Sequence, residues 1–156
     1  MRMKFIFKKF DSKIITIFVL FFIQFLLSCK INQYRNWNRV GKWIETREVD
    51  GVKYKFVGHY KMNGYEKGVW RNYANNVLVS KEIYINDTCH TTNYRTNGTV
   101  VSSGKTITDR SGGDKLRWYY IGQWKYFDDQ GDLEFIRFFV NGRENGEIKI
   151  EKKSKE

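Results

Sequence analysis

The 156-residue chain has no proline, only two cysteines and two histidines, and 17 Asp+Glu against 28 Lys+Arg. Its single long apolar run ends before residue 28. Each shortage excludes something. Without proline there are no Pro-rich spacers and no low-complexity linkers of that kind. With two histidines and two thiols, a zinc site would need carboxylates at no recognisable spacing. The acid deficit gives a formal charge of +11, which points to anionic surroundings. What the chain does have is 27 aromatic residues and 13 glycines, a composition suited to strands joined by Gly-based turns.

The apolar run is the most distinctive feature present. Basic residues come first (Arg2, Lys4, Lys8, Lys9, Lys13), then Ile14 to Leu27 broken only by Thr16 and Gln24. A basic segment followed by about 7–15 apolar residues has the layout of a secretory signal. Fourteen helical residues rise only about 21 Å, short of a hydrocarbon core about 30 Å thick. The run is therefore expected to be a cleaved signal helix rather than a transmembrane anchor. Its end, Leu26-Leu27-Ser28-Cys29, resembles the bacterial lipobox. The resemblance implies that the Cys29 thiol receives a diacylglyceryl group and that the leader is cut after Ser28. Two or three acyl chains hold a protein stably at a membrane, whereas one chain binds only marginally.

Cleavage would leave 128 residues. The leader holds five of the Lys+Arg and one of the Asp+Glu, so 23 cations face 16 carboxylates, a net +7. That length suits one domain with a modest core. The charge favours anionic headgroups or acidic envelope polymers as partners, and export removes nucleic acid from the candidates. With Cys29 acylated, Cys89 is the one remaining thiol, and no intramolecular disulfide can form.

The mature chain repeats itself. Asn63-Gly64-Tyr65-Glu66-Lys67-Gly68 returns as Asn141-Gly142-Arg143-Glu144-Asn145-Gly146, and Gly-x-Trp occurs at Trp43, Trp70 and Trp124. Val52, Tyr54, Phe56, Tyr60 and Met62 share one parity, while Lys53, Lys55, His59 and Lys61 take the other. That alternation is a strand with one buried face. Asn63-Gly64 follows it at once, and Asn-Gly favours the tight type I′ turn. Gln123–Phe127, Leu133–Val140 and a short strand holding Ile148 and Ile150 repeat the logic around turns at 128–132 and Asn141-Gly142. No segment after residue 40 shows a sustained 3.6-residue period. The expected fold class is all-β, a meander of antiparallel β-hairpin repeats. Its organisation reads as a signal peptide over 1–28, a tether over 29–40, the repeat domain over 41–150 and a basic tail over 151–156.

The Asn-Gly-x-x-x-Gly-x-Trp-x-x-Tyr pattern from Asn63 to Tyr73 resembles the bacterial variant of the MORN repeat found in YwqK-family antitoxins. Gly122 to Leu133, running on to Asn141-Gly142, is similar to it as well. The resemblance implies stacked hairpins whose Trp and Tyr side chains fill the spine of an elongated sheet. The pattern lapses at Asn86-Asp87-Thr88-Cys89-His90 and at 109–114, where its glycines and Trp are missing, and this argues against an unbroken array of identical units.

Catalytic constellations are not found. Cys89 and His90 are neighbours, and neighbours on a strand point to opposite faces, so a thiol dyad is disfavoured and Cys89 reads as a loop cysteine. Gly98 to Thr106 has the wrong spacing and setting for a phosphate loop. Asp128-Asp129-Gln130-Gly131-Asp132 lacks the ligands of a calcium loop and reads as a turn. Asn86-Asp87-Thr88 and Asn97-Gly98-Thr99 match a glycosylation sequon, incidental in a bacterial lipoprotein. Trp43, Trp70, Tyr73, Trp118, Trp124 and Tyr126 read as repeat core ahead of a ligand groove. Lys149, Lys152, Lys153 and Lys155 read as a solvated tail. The sequence thus leads to a non-enzymatic lipoprotein, without cofactor or metal, lipid-anchored in the bacterial cell envelope outside the cytoplasm. Its repeat domain is expected to bind or scaffold a protein or polymer of that envelope. The alternative, implied by the family label alone, is an antitoxin or immunity protein that neutralises a toxin.

Overall fold

A computed structural model describes residues 30–109 and 117–151. The signal peptide, Cys29, residues 110–116 and Lys152, Lys153 and Lys155 lie outside the described residues. The chain divides near residue 30, and the unit from Ile31 onward holds every described strand.

Ten strands follow one another: β1 (Gln33–Arg35), β2 (Asn38–Val49), β3 (Val52–Tyr60), β4 (Glu66–Ala74), β5 (Val77–Ile85), β6 (Thr88–Tyr94), β7 (Val100–Asp109), β8 (Arg117–Phe127), β9 (Leu133–Val140) and β10 (Arg143–Lys149). They lie side by side in chain order, each antiparallel to the next, as one open sheet. There is no helix among the described residues. The chain is therefore an all-β meander of hairpins. Substantial packing joins only sequence neighbours, so the sheet is a single layer and both of its faces are reachable.

The sheet starts earlier than the sequence suggests. Part of the stretch read as a tether forms the hairpin β1–β2, closed by a turn at Asn36 and Trp37. The Asn32 side chain extends that ladder by accepting from Ile44 N at 2.7 Å and donating to Ile44 O at 2.8 Å. A three-residue strand is too short to show a period, which is why the pattern missed it. Pairing also continues through the region where the repeat lapses, with β5, β6, β7 and β8 in unbroken succession.

Two turn chemistries recur among the described hairpins, and Asn86-Asp87, where only Asn86 has positive φ, follows neither. At Asn36-Trp37, Asp50-Gly51, Asn75-Asn76 and Asn141-Gly142 both central residues have positive φ, the type I′ geometry that matches strand twist. Asn63-Gly64, expected to do the same, does not. There the Gly64 amide donates to Lys61 O and the Lys61 amide to Tyr65 O, and only Gly64 has positive φ. This five-residue loop recurs at 95–99 and 128–132, each time with glycine fourth, at Gly98 and Gly131. Asn63 bonds its own loop, its Oδ1 accepting from Tyr65 N at 3.3 Å, and this Asx contact competes with the tighter turn. Met62 is carried into the loop and is exposed rather than buried.

The core lies on one face of the sheet. Trp43, Tyr60 and Trp70 form a buried cluster flanked by Phe56 and Tyr84. Their rings meet edge to face, Tyr34 on Trp43 at 5.1 Å, Trp43 on Tyr60 at 5.8 Å and Tyr60 on Trp70 at 4.9 Å. Such pairs contribute about 0.5–1.5 kcal/mol each beyond area burial. Each Gly-x-Trp glycine pairs across the sheet with an aromatic: Gly41 with Tyr60, Gly68 with Tyr84, Gly122 with Phe139. The three glycines share φ values of +63° to +70°, so the motif is a local backbone shape as well as a sequence.

A second glycine seats each of the two later indoles. Trp70 lies on Gly58 and Trp124 on Gly104, so closely that a Cβ there would fall 2.0 Å and 2.3 Å from the ring. Both glycines sit at irregularities in their ladders. Trp70 Nε1 donates to His59 O at 3.2 Å, and Trp124 Nε1 donates to Lys105 O at 2.9 Å. The same device, glycine seat plus carbonyl of the next residue, is thus built twice. Gly104, part of the rejected phosphate loop, serves packing.

Candidate functional site

Alternation along each strand sorts the polar chemistry between the two faces. The aromatic face carries arginines. Arg39 lies 5.0 Å over Trp43 and ion-pairs with Glu45 at 3.1 Å, and its pKa is raised first by the hydrogen bond with Tyr60. Arg47 lies over Phe56 at 4.7 Å, and Arg137 over Phe135 at 5.0 Å while pairing with Glu147 at 2.8 Å. A planar guanidinium stacks on rings and pairs at the same time, so these cations are spent internally.

The opposite face carries lysines. One cross-strand row runs Ile44, Val57, Arg71, Lys81, Thr92, Ser103, Lys125, Ile136, Ile148. A flanking row runs Lys42, His59, Lys67. Val69, Ile83, His90, Lys105 and Ile121 continue on the far side of the ladder irregularity. Lys55 stands opposite Tyr73. Seven cations and two histidines are held in these rows without one carboxylate among them. None of the seven forms an ion pair with a described carboxylate. At the margin, Lys53 does stand opposite Glu48.

The arrangement has a cost. Arg71 and Lys81 are directly opposed on adjacent strands. Like charges in that position destabilise a sheet by about 0.2–1 kcal/mol. Strands lie about 4.8 Å apart, so Arg71 and Lys81 stand well within the screening length of about 8 Å at physiological salt. Half-buried aliphatics such as Ile44, Val57 and Ile83 stand among the cations of this face, a surface on which lysine stems can lie while the ammonium groups stay in water. Beside a marginal hollow of ≈ 440 Å³ that Glu48 and Lys53 share with Lys55, two shallow depressions open on this face. One, of ≈ 450 Å³, is lined by His90, Thr92, Ser103, Lys105, Gln123 and Lys125. The other, of ≈ 410 Å³, is lined by Lys42, Ile44, Lys55, Val57, Tyr73 and Asn76.

The residues singled out from the sequence fall as follows. Cys89 lies within β6, 2% exposed, instead of in a loop. Its thiol is 3.6 Å from Thr91 Oγ1, and burial pushes its pKa up. His90 belongs to the lysine face on the other side, opposite Ile83 and Lys105, so the structure does not bring the two together. Trp43, Trp70 and Trp124 are buried, but Trp118 is 56% exposed and Tyr73 is on the lysine face. Asp128 to Asp132 form a turn in which Asp128 Oδ1 accepts from Gln130 N and Asp132 N. Among the described residues no group of three His, Cys, Asp or Glu is placed to hold a metal. The lysine face itself was missed. The alternation of Lys53, Lys55, His59 and Lys61 was its visible signal, and strand register was needed to join it to Arg71, Lys81, Lys105 and Lys125.

Comparison with protein-family models, with curated proteins and with solved structures returned no match for this chain.

Proposed function

We propose that the protein is a non-catalytic lipoprotein of the bacterial cell envelope, cut after Ser28 and acylated at Cys29, whose hairpin-repeat domain binds an anionic envelope component through its lysine face. The observation that carries the binding half is the set of seven cations in carboxylate-free rows, kept despite the repulsion between Arg71 and Lys81. Unpaired charge on one face of a single-layer sheet raises the local concentration of polyanions and speeds their association. The lipobox resemblance supports the anchored half, and the resemblance to MORN-type repeats supports a binding scaffold over an enzyme.

The test uses the full-length protein and a phosphodiester polymer, polyglycerol phosphate, with a neutral glycan as control. Binding is expected to the phosphodiester alone and to weaken steeply from 50 to 200 mM salt. Lys67→Gln, Lys105→Gln and Lys125→Gln together are expected to abolish most of it. Equal affinity for the neutral glycan, or no effect of the triple variant, would refute the assignment.

A further inference from the structure

The turn between β1 and β2 breaks the rule that the three other described type I′ turns obey. A type I′ turn places both central residues at positive φ and strongly prefers Gly or Asn there. The second position is Gly51, Asn76 and Gly142 in the other three, and Trp37, at φ +65°, in this one. A bulky side chain in the left-handed region is a genuine outlier, and such outliers persist at functional sites. Trp37 gains nothing from the fold in return. It is 98% exposed and makes no ring contact or hydrogen bond with a described residue. Tyr34, three residues earlier with its ring edge on Trp43, is 65% exposed, and Arg35 precedes the turn.

Charge and chain length say what meets this tip. Near the tip Lys30 and Arg35 are the basic residues and 30–44 holds no carboxylate, while Arg39 is already paired with Glu45 and Lys42 belongs to the lysine face. Eight steps along the chain separate Cys29 from Trp37. At no more than about 3.6 Å each, they keep the tip within about 29 Å of that thiol. An exposed indole on a hairpin that also shows a phenol and basic residues to solvent is the chemistry that settles at a bilayer's headgroup level. We propose that the β1–β2 hairpin tip, through Trp37 and Tyr34, inserts into the headgroup region of the anionic membrane that carries the protein, as a second contact that orients the sheet. This rests on the reading of Cys29 as the acylated residue. It assigns a membrane contact to the tip and leaves the lysine face for the polymer.

The test places the full-length acylated protein in vesicles of phosphatidylglycerol and phosphatidylethanolamine containing a lipid with a shallow doxyl quencher. Trp43, Trp70 and Trp124 are 5%, 6% and 2% exposed and should be protected. Quenching of about one part in five of the emission is expected, one of the five tryptophans. Trp37→Gly should remove that quenching and leave the unfolding midpoint no lower, whereas Trp118→Phe should leave the quenching in place. Persistent quenching in the Trp37→Gly variant would overturn the proposal. So would free access of aqueous iodide to Trp37 in vesicles, or protection of Trp37 that appears only when envelope protein is added. The mass of the mature amino end tests the acylation separately. Should Cys29 prove unmodified, flotation of that chain with vesicles still decides the tip, since it must fall on Trp37→Gly for the proposal to stand.

Discussion

Gly58→Ala should be among the most damaging single-methyl additions in this sheet, and the structure says why. The new Cβ would lie 2.0 Å from Trp70 Cδ2 and 2.2 Å from Cε2. Carbon–carbon contacts are comfortable near about 3.5–4.0 Å, so the indole must retreat by roughly 1.5 Å. The ring has no flexible end to swing aside. Retreat breaks the Nε1 bond to His59 O and the edge-to-face contact with Tyr60 at 4.9 Å. The bond is worth about 0.5–1.5 kcal/mol and the ring pair a similar amount. Overpacking strain of about 1–3 kcal/mol overlaps with both. Gly58 does not have positive φ, so alanine's smaller unfolded-state entropy returns about 0.4–1 kcal/mol. The net expectation is a loss of about 2–3 kcal/mol. Urea unfolding followed by circular dichroism measures it, with Trp70→Ala and the double variant completing a cycle. Trp70→Ala alone should cost about 3–5 kcal/mol. The double variant should be no worse than Trp70→Ala, because the clash has gone with the ring, giving a coupling of about 2 kcal/mol or more. A Gly58→Ala variant within about 0.5 kcal/mol of the parent, or costs that simply add, would refute the glycine-seat argument.

The same seat under Trp124 predicts that Gly104→Ala is destabilising by a comparable amount, read by the same urea series. Lys81→Glu should separate stability from binding: removing the repulsion with Arg71 raises stability by about 0.2–1 kcal/mol in urea while affinity for polyglycerol phosphate falls. Burial pushes the Cys89 thiol and the Tyr60, Tyr84 and Tyr126 hydroxyls up from their ordinary values. The folded state therefore holds these protons more tightly than the unfolded chain. The stabilisation is whole below the unfolded values, near 9.0 for cysteine and 10.0 for tyrosine, and is lost as pH climbs past them. The thermal midpoint should fall steadily above about pH 9, and a thiol reagent should label Cys89 only once urea has unfolded the sheet. A midpoint flat from pH 8 to 11 would contradict this.

Much of the sheet could be read from local pattern. Leu133–Val140 is the strand the alternation predicts, and Asn141-Gly142 makes the predicted type I′ turn, because both are settled by residues a few positions apart. Asn63-Gly64 shows the limit of that reading. The same dipeptide closes a different loop because the Asn63 side chain bonds to Tyr65 N, a contact that no dipeptide preference contains. Cys89 shows another limit. Its turn-like surroundings suggest a loop, yet pairing with both Tyr84 and Thr106 draws it into a strand and buries it.

The amino-acid sequence by itself determined the all-β class, the hairpin period and the glycine–tryptophan units, since alternation and turn preference act within a hairpin. Only the tertiary structure decided which residues share a row. The register of each successive ladder sets that; added across the sheet, these registers joined lysines from separate hairpins into one face, and they laid two indoles on glycines twelve and twenty residues away. The exposure of Trp37 was likewise a tertiary fact. Burial is decided by what folds over a side chain, and nothing in the sheet folds over that one.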